Sequence, residues 1–349
     1  ALEQGVAIVV MAIVLDRLSQ AGARKQPARH HAGEPIWRRH LHAGLAMLVL
    51  VASYLLSARV PALAVLPEDL SITTAPFWDA IVEWMSLKLY GYLGLIRDGL
   101  LVNVLIPIRD LFLWTPWTIF IGLAALLGYR LGGWRLSLLV GALIGFIVIT
   151  GFWRPAMITV YLVSIAVLIC TVLGVPLGIW AARNRRIATM VLTVCDTLQT
   201  FPSFIYLIPV VMLFRVGDVA AITAIIAYAM VPAVRYSYLG LKRVPATIIE
   251  SAIASGCTRR QILWKVEMPL ALPEIMLGIN QTIMMGLFMV TITALIGTRD
   301  LGQEINKALT NADPGRGLVA GLCIAFIGIA ADRLIGAWSL KRKLQLGLT

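Results

Sequence analysis

Eight apolar runs, at about 42–58, 116–131, 136–152, 157–181, 188–214, 219–240, 274–297 and 318–336, take up most of this 349-residue sequence. A helix rises about 1.5 Å per residue, so about 20 such residues cross a hydrocarbon core about 30 Å thick. Inside that core no water bonds the backbone amides and carbonyls, which selects helices for spans of this length. The same runs exclude a water-soluble fold, since 59% of the positions are hydrophobic and 14% charged, too few polar groups to clothe a globule. The expected class is an all-α, polytopic integral membrane protein in contact with lipid. None of the runs has the form of a signal peptide.

The formal charge of +12 does not point to nucleic acid, because the basic residues form no stripe on a soluble face. They lie between the apolar runs instead. Arg183-Asn184-Arg185-Arg186 follows one run, Lys242-Arg243 another and Lys341-Arg342-Lys343 the last, the distribution of cytoplasmic anchors. With one crossing per run, Arg130, Arg135, 182–187, 241–273 and the C-terminus fall inside, and 59–115 and 298–317 outside. Cys170, Cys195, Cys257 and Cys323 are scattered without disulfide or zinc spacing. His30, His31, His40 and His42 fall in or beside one basic linker, so no metal site is expected, and no catalytic residue.

Residues 2–18 align without a gap on 318–334: Leu2, Gly5, Ile8, Ile13, Asp16, Arg17 and Leu18 match Leu318, Gly321, Ile324, Ile329, Asp332, Arg333 and Leu334. Either two apolar helices agree by chance, or a whole domain is duplicated. On the second reading residues 1–20 are the last transmembrane helix of a preceding repeat, and 21–40, broken by Pro27 and Pro35, form a basic cytoplasmic linker. The N-terminal spans then occupy 41–152 and the core domain 153–341. Within the former, 76–114 is no clean span. Phe77, Trp78, Ile81, Val82, Met85 and Leu89 share one helix face and Asp79, Glu83 and Ser86 another, the pattern of a helix in the membrane interface, with Trp78, Trp84, Trp114 and Trp117 at headgroup level. A packed extracellular subdomain is the alternative.

The loop 242–273 carries the densest local signals. Thr247-Ile248-Ile249-Glu250 has the form of a capping box, which predicts a helix start. That helix runs through the small residues Ser251, Ala252, Ala254 and Ser255 to Gly256, which lacks a Cβ and can close a helix in the left-handed conformation. Thr258-Arg259-Arg260-Gln261 forms a second box, opening a helix expected to end near Pro269. Such a unit either docks into a partner's cleft, where small side chains permit close approach, or is a rigid connector.

The stretch Glu250-Ser251-Ala252-x3-Gly256-x9-Val266-x-Met268-Pro269 resembles the coupling-loop signature Glu-Ala-Ala-x3-Gly-x9-Ile-x-Leu-Pro of permease subunits of binding-protein-dependent ABC importers. Ser251, Val266 and Met268 are the departures, each conservative in volume or polarity. The resemblance covers about 155–340 and is nearest to the glycine betaine/proline subfamily, through Val175-Pro-Leu-Gly-Ile-Trp180, Leu198-Gln-Thr-Phe-Pro-Ser-Phe-Ile-Tyr-Leu-Ile-Pro209, Asn280-Gln-Thr282, Leu301-Gly-Gln303 and Asp332-Arg-Leu334. It implies a type I ABC importer permease fold in a bacterial cytoplasmic (inner) membrane, with the C-terminus cytoplasmic. The cargo it implies is a small quaternary or zwitterionic amine of the glycine betaine, choline, proline betaine, carnitine or trimethylamine N-oxide type. The implied partners are a cytoplasmic ABC ATPase dimer that binds the ATP and Mg, a periplasmic or tethered substrate-binding protein, and a second permease domain upstream in the same polypeptide. Glu250, Ser251, Ala252, Gly256, Arg259, Arg260, Pro269 and Pro273 are carried over as the ATPase interface. The 349 residues contain no Gly-x4-Gly-Lys-Ser/Thr phosphate cradle, so a transport subunit rather than an enzyme is expected.

For the pathway, Pro202 and Pro209 interrupt one apolar run, and proline in a span frees carbonyls that neighbours or a wet cavity must satisfy. Asp196, Gln199 and Thr200 precede the break, and Phe201, Phe204 and Tyr206 surround it. Aromatic faces can guide a quaternary ammonium, and Asp196 is costly against lipid. Ordinary helix packing of these aromatics is the alternative. An ion-coupled secondary transporter of small amines is the rival function; it calls for mid-span ionisable relays, which these runs nearly lack. A membrane enzyme calls for clustered acids, histidines or a nucleophile, and here they are dispersed.

Overall fold

The computed structural model describes residues 41–59 and 75–347, with Val10, Met11, Val14, Leu15, Leu18 and Ser19, which are helical. The rest of the expected 1–20 helix, most of the 2–18 repeat, and the linker 21–40 with His30, His31 and His40 lie outside the described residues. Contacts divide the chain into a unit of residues 1–81 and one of 82–349. The first contains α1 (Leu41–Arg59) and the start of α2 (Ala75–Leu100). Phe77 and Trp84 are exposed, while the side chains of Trp78, Val82, Met85 and Leu89 on the expected interfacial face lie outside the described residues.

α2 runs through a π-helical turn, Leu101–Leu105, into α3 (Ile106–Trp114). Where the sequence reads as an interfacial segment, Gly91–Trp114 is long and apolar enough to cross a membrane. The neighbouring charges Arg97–Asp98 (2.6 Å) and Arg109–Asp110 (3.4 Å) pair on this helix. Pro116 separates it from α4 (Trp117–Ile149), which is a hairpin rather than one rod. Gly132 (φ −139°, ψ 15°) and Gly133 (φ 75°, ψ −167°) leave helical geometry, and a Cβ on Gly128 would lie 3.1 Å from Ser137 Cα. Residues nine apart in a straight helix are about 13 Å apart, so the chain reverses here. The two runs read at 116–131 and 136–152 are the two arms.

α5 (Trp153–Arg183) and α8 (Asp218–Lys242) form the centre with α10 (Arg259–Ile296), which passes through π turns at Ile262–Glu267 and a final 3-10 turn. Between α5 and α8 lie α6 (Arg185–Thr200) and α7 (Leu207–Phe214). After α10 come α11 (Leu301–Thr310) and α12 (Pro314–Gln345). The main core joins Tyr161, Leu162 and Ala166 of α5, Ala221, Ile225 and Ala229 of α8, and Leu287, Met289 and Val290 of α10. The α5–α8 contact is close because Gly178 has no Cβ, which would stand 2.5 Å from the Val234 carbonyl oxygen and 2.7 Å from Ser237 Cβ. Asn280 Nδ2 ties α10 to α12 through Asp332 Oδ1 at 2.7 Å.

The basic clusters gather at one end. Arg183 pairs with Glu267 (3.4 Å), Arg243 with Glu274 (2.8 Å), and Lys341 Nζ donates to the Arg130 carbonyl (3.4 Å). We call this the loop end, because it carries 243–258. At the far end α8 begins with Asp218 held by Arg109 (3.7 Å) and the Tyr161 hydroxyl (3.4 Å). There the fully buried Asp300 caps α11, accepting from the Gln303 amide at 3.0 Å, and Thr159 Oγ1 accepts from the Leu301 amide. Burial pushes the Asp300 carboxyl up to about 6, against the Thr298 hydroxyl and helix amides that hold it down. Burial also raises Glu304, but bonds from Lys307 and Arg316 outweigh it and leave that carboxyl below its ordinary value.

Gly178→Leu overpacks the α5–α8 contact and costs about 1–3 kcal/mol or more, read as a lower unfolding midpoint in detergent. Gly141→Ala, with nothing within 4 Å of the added Cβ, leaves the midpoint unchanged or higher. For Asp300, the folded carboxyl holds its proton up to about 6 and the unfolded one only to about 3.8. Its contribution to stability is therefore present at low pH and lost as pH rises from about 4 to about 6. Asp300→Asn, which keeps the cap, flattens that limb of a pH-resolved thermal melt.

Candidate coupling loop and translocation segment

The first helix of the loop starts two residues earlier than its sequence suggests. α9 (Ala246–Ala254) is entered from Pro245 (φ −59°, ψ 132°), whose carbonyl accepts from the Ile248 and Ile249 amides. Thr247 is thereby the second residue of the helix and not its cap, and the expected Thr247–Glu250 box does not form. The Thr247 carbonyl instead accepts the Ser251 hydroxyl at 2.8 Å. The reason is Pro245, whose fixed φ sets the entry geometry and makes the side-chain cap dispensable.

α9 ends as expected. Gly256 is left-handed at φ 76°, the Cys257 amide reaches back to the Ala252 carbonyl at 3.0 Å and the Gly256 amide to Ile253 at 2.9 Å. Those two bonds are a Schellman closure, which needs a residue without a Cβ penalty at the corner. Thr258–Gln261 is a true capping box, with the Thr258 amide donating to Gln261 Oε1 (2.8 Å) and the Gln261 amide to Thr258 Oγ1 (3.4 Å).

The second helix does not end near Pro269. It continues as α10 for 38 residues into the core. The π turns at Ile262–Glu267 change the hydrogen-bond register, and Pro269 falls in the first turn of the α-helical register that follows, where no amide is needed. Pro273 lies buried further along the same helix. The unit is thus a short helix, a glycine corner, and the start of a core helix.

α9 buries none of its residues within this chain. Glu250, Ser251, Arg259 and Arg260 are exposed, Ala252 is half-buried, and Ile253 and Trp264 stand 58% and 61% exposed. Two large apolar side chains on a solvent-facing loop, rimmed by charge, have the composition of a contact surface.

The run at 188–214 is not one straight helix. α6 and the segment Ser203–Phe214 meet at 107°, with Phe201 and Pro202 extended between them. Pro202 has no amide to give to the Leu198 carbonyl four residues back. The Tyr206 hydroxyl supplies that bond, and Tyr206 is 7% exposed. Tyr206 is in contact with Phe201 (centroids 6.3 Å) and Tyr228 (5.9 Å), and Tyr228 with Phe288 (5.8 Å). Asp196 is ion-paired to Arg235 of α8. The Thr200 hydroxyl turns back to the Thr197 carbonyl at 2.8 Å, and Gln199 and Phe204 are exposed outside the aromatic row. So Asp196, Phe201 and Tyr206 acquire defined partners, while Gln199, Thr200 and Phe204 join no cluster.

Arg235, Tyr228 and Phe288 were not legible as site residues. Arg235 had a signal, a lone cation inside an apolar run opposite an acid in another. Tyr228 and Phe288 had none, because their contact depends on how α8 and α10 are aligned.

A helical bundle with a basic end, a bent helix pair and an exposed helix–corner–helix loop has the architecture of a polytopic membrane protein. Residues 174–342 match the family of binding-protein-dependent transport system inner membrane components. The chain is 42% identical to the trimethylamine N-oxide transport system permease protein TmoV of Pelagibacter ubique, over 100% of this chain and 50% of that protein. It is 36% identical to the glycine betaine transport system permease protein OpuAB of Bacillus subtilis, over 78% of this chain and 96% of that protein. A solved MetNI methionine ABC transporter in inward facing conformations is similar over 55% of this chain and 95% of that chain, at TM-score 0.47 and 21% identity. The chain belongs to the binding-protein-dependent transport system inner membrane component family. It spans about half the length of the two trimethylamine N-oxide permeases it matches.

Removing the Tyr206 hydroxyl isolates the carbonyl bond. Tyr206→Phe leaves Leu198 without a donor and costs about 1–3 kcal/mol in denaturant unfolding, with the aromatic contacts unchanged.

Proposed function

We propose that this chain forms part of a translocation path for a small quaternary or zwitterionic amine, of the glycine betaine, carnitine or trimethylamine N-oxide type, across a bacterial cytoplasmic membrane. The observation that carries the coupling role is the exposed α9–Gly256–α10 corner, whose Ile253 and Trp264 are left 58% and 61% exposed among the described residues. In this reading a cytoplasmic ABC ATPase dimer, which binds ATP and Mg, covers them, with Glu250, Arg259 and Arg260 at the rim and Pro269 and Pro273 at the base. The cargo class is supported by the names of the relatives, permeases for trimethylamine N-oxide and for glycine betaine. A binding protein at the far end delivers it.

In this reading the loop end lies in the cytoplasm with the C-terminus, which the gathering there of Arg130, Arg183, Lys242, Arg243 and Lys341 supports. A second permease domain completes the path, and the match of 2–18 to 318–334 supports its lying upstream in one polypeptide. Asp196, Phe201 and Tyr206 are assigned to the path, with Tyr228 and Phe288 continuing the aromatic row.

In proteoliposomes containing the full polypeptide, its ATPase and its binding protein, Gly256→Leu lowers ATP-driven amine uptake roughly tenfold by forcing a branched side chain into the left-handed corner. ATP hydrolysis persists in that variant. Uptake at the unsubstituted rate, at matched protein content, contradicts the assignment.

A further inference from the structure

The turn of the α4 hairpin is a second feature of the loop end that the transport reading leaves unused. Between this turn and α12 lies a cleft of about 440 Å³ lined by Arg135 and Arg333, with Leu136 and Leu139 as apolar walls and Gly132 and Gly336 at its edges. Its level in the membrane follows from the fold: the arms 117–131 and 134–149 are apolar, so the turn joining them lies at a membrane–water boundary. Trp134 beside it is 63% exposed and Leu138 64% exposed, so this flank faces outward from the helix bundle. Exposed tryptophan is the residue type that settles at headgroup depth.

The charge of the cleft is net positive, two guanidinium groups against the one carboxylate of Asp332. That carboxylate is already engaged, accepting from Asn280 Nδ2 at 2.7 Å on one oxygen and facing Arg333 Nε at 4.0 Å with the other. Arg135 has no carboxylate within ion-pairing distance among the described residues, and its guanidinium lies 5.6 Å from the Trp134 ring centroid. Lys341 and Arg130 close the same end of α12, through the Lys341 bond to the Arg130 carbonyl at 3.4 Å. A guanidinium fork binds a phosphodiester oxygen pair, and the leucine walls suit acyl chains.

We propose that the Arg135–Arg333 cleft is a binding site for one anionic phospholipid, its phosphate held by the two arginines and its chains laid along Leu136 and Leu139. A basic pocket between membrane helices is the arrangement that favours an anionic headgroup over a zwitterionic one. The site is separate from the loop around Gly256 and from the broken span, so its test needs neither partner nor transport.

The full chain, purified in neutral detergent, is titrated with phosphatidylglycerol, phosphatidylcholine or inorganic phosphate, and bound lipid is counted by native mass spectrometry. One phosphatidylglycerol is retained, in preference to phosphatidylcholine. Retention weakens roughly fivefold in Arg135→Gln or Arg333→Gln and roughly 30-fold in the double variant. Both side chains lie on the surface, and far-ultraviolet circular dichroism checks that each variant keeps its helices. Arg135→Lys retains part of the binding. Equal retention by the double glutamine variant, equal binding of phosphatidylcholine, or displacement of the lipid by millimolar inorganic phosphate alone overturns the proposal.

Discussion

A backbone carbonyl that loses its helical donor needs another, and the central segment of this protein is arranged around one such group. Pro202 removes the donor that would serve Leu198, the chain turns by 107°, and the Tyr206 hydroxyl restores the bond from the other side of the bend. The break is thus a satisfied structure rather than a defect. It sits against α8, the helix that also meets α5 across Gly178 and runs directly into the loop. Bend, core and loop share one element.

Charge follows the same economy. At the loop end, cations meet the acids that border the loop, Arg183 with Glu267 and Arg243 with Glu274, so the start of α10 is tied to the ends of α5 and α8. At the far end the acids are the buried partners: Asp218 beneath Arg109 and Tyr161, Glu304 between Lys307 and Arg316, and Asp300 capping α11. Single surface pairs contribute little to stability, but pairs that bridge different helices define how the helices meet. α9 is the exception, a helix anchored at both ends that buries nothing of its own.

Much of this was readable before any coordinates. The apolar runs, the gathering of basic clusters, the left-handed Gly256 and the Thr258–Gln261 box depend on local composition, and local physics decides them. The departures in the loop have one origin, proline in an unexpected role. Pro245 took over the helix entry that Thr247–Glu250 would have capped, and Pro269 was accommodated by a π turn instead of ending a helix. Pro202 was read as an interruption, but its angle and its Tyr206 partner depend on residues that meet only in the fold. The same holds for Asp196 with Arg235 and for the Tyr228–Phe288 contact: each partner is visible in the sequence, and the pairing is not.

The central claim is that the corner around Gly256 is a surface built to be covered by a partner. Hydrogen–deuterium exchange of the full polypeptide, alone and with its ATPase bound, tests this most directly. The account predicts protection concentrated in 246–264, spanning Ile253, Gly256 and Trp264, and little change at the α4 turn. A complex that forms while exchange in 246–264 stays unchanged contradicts it.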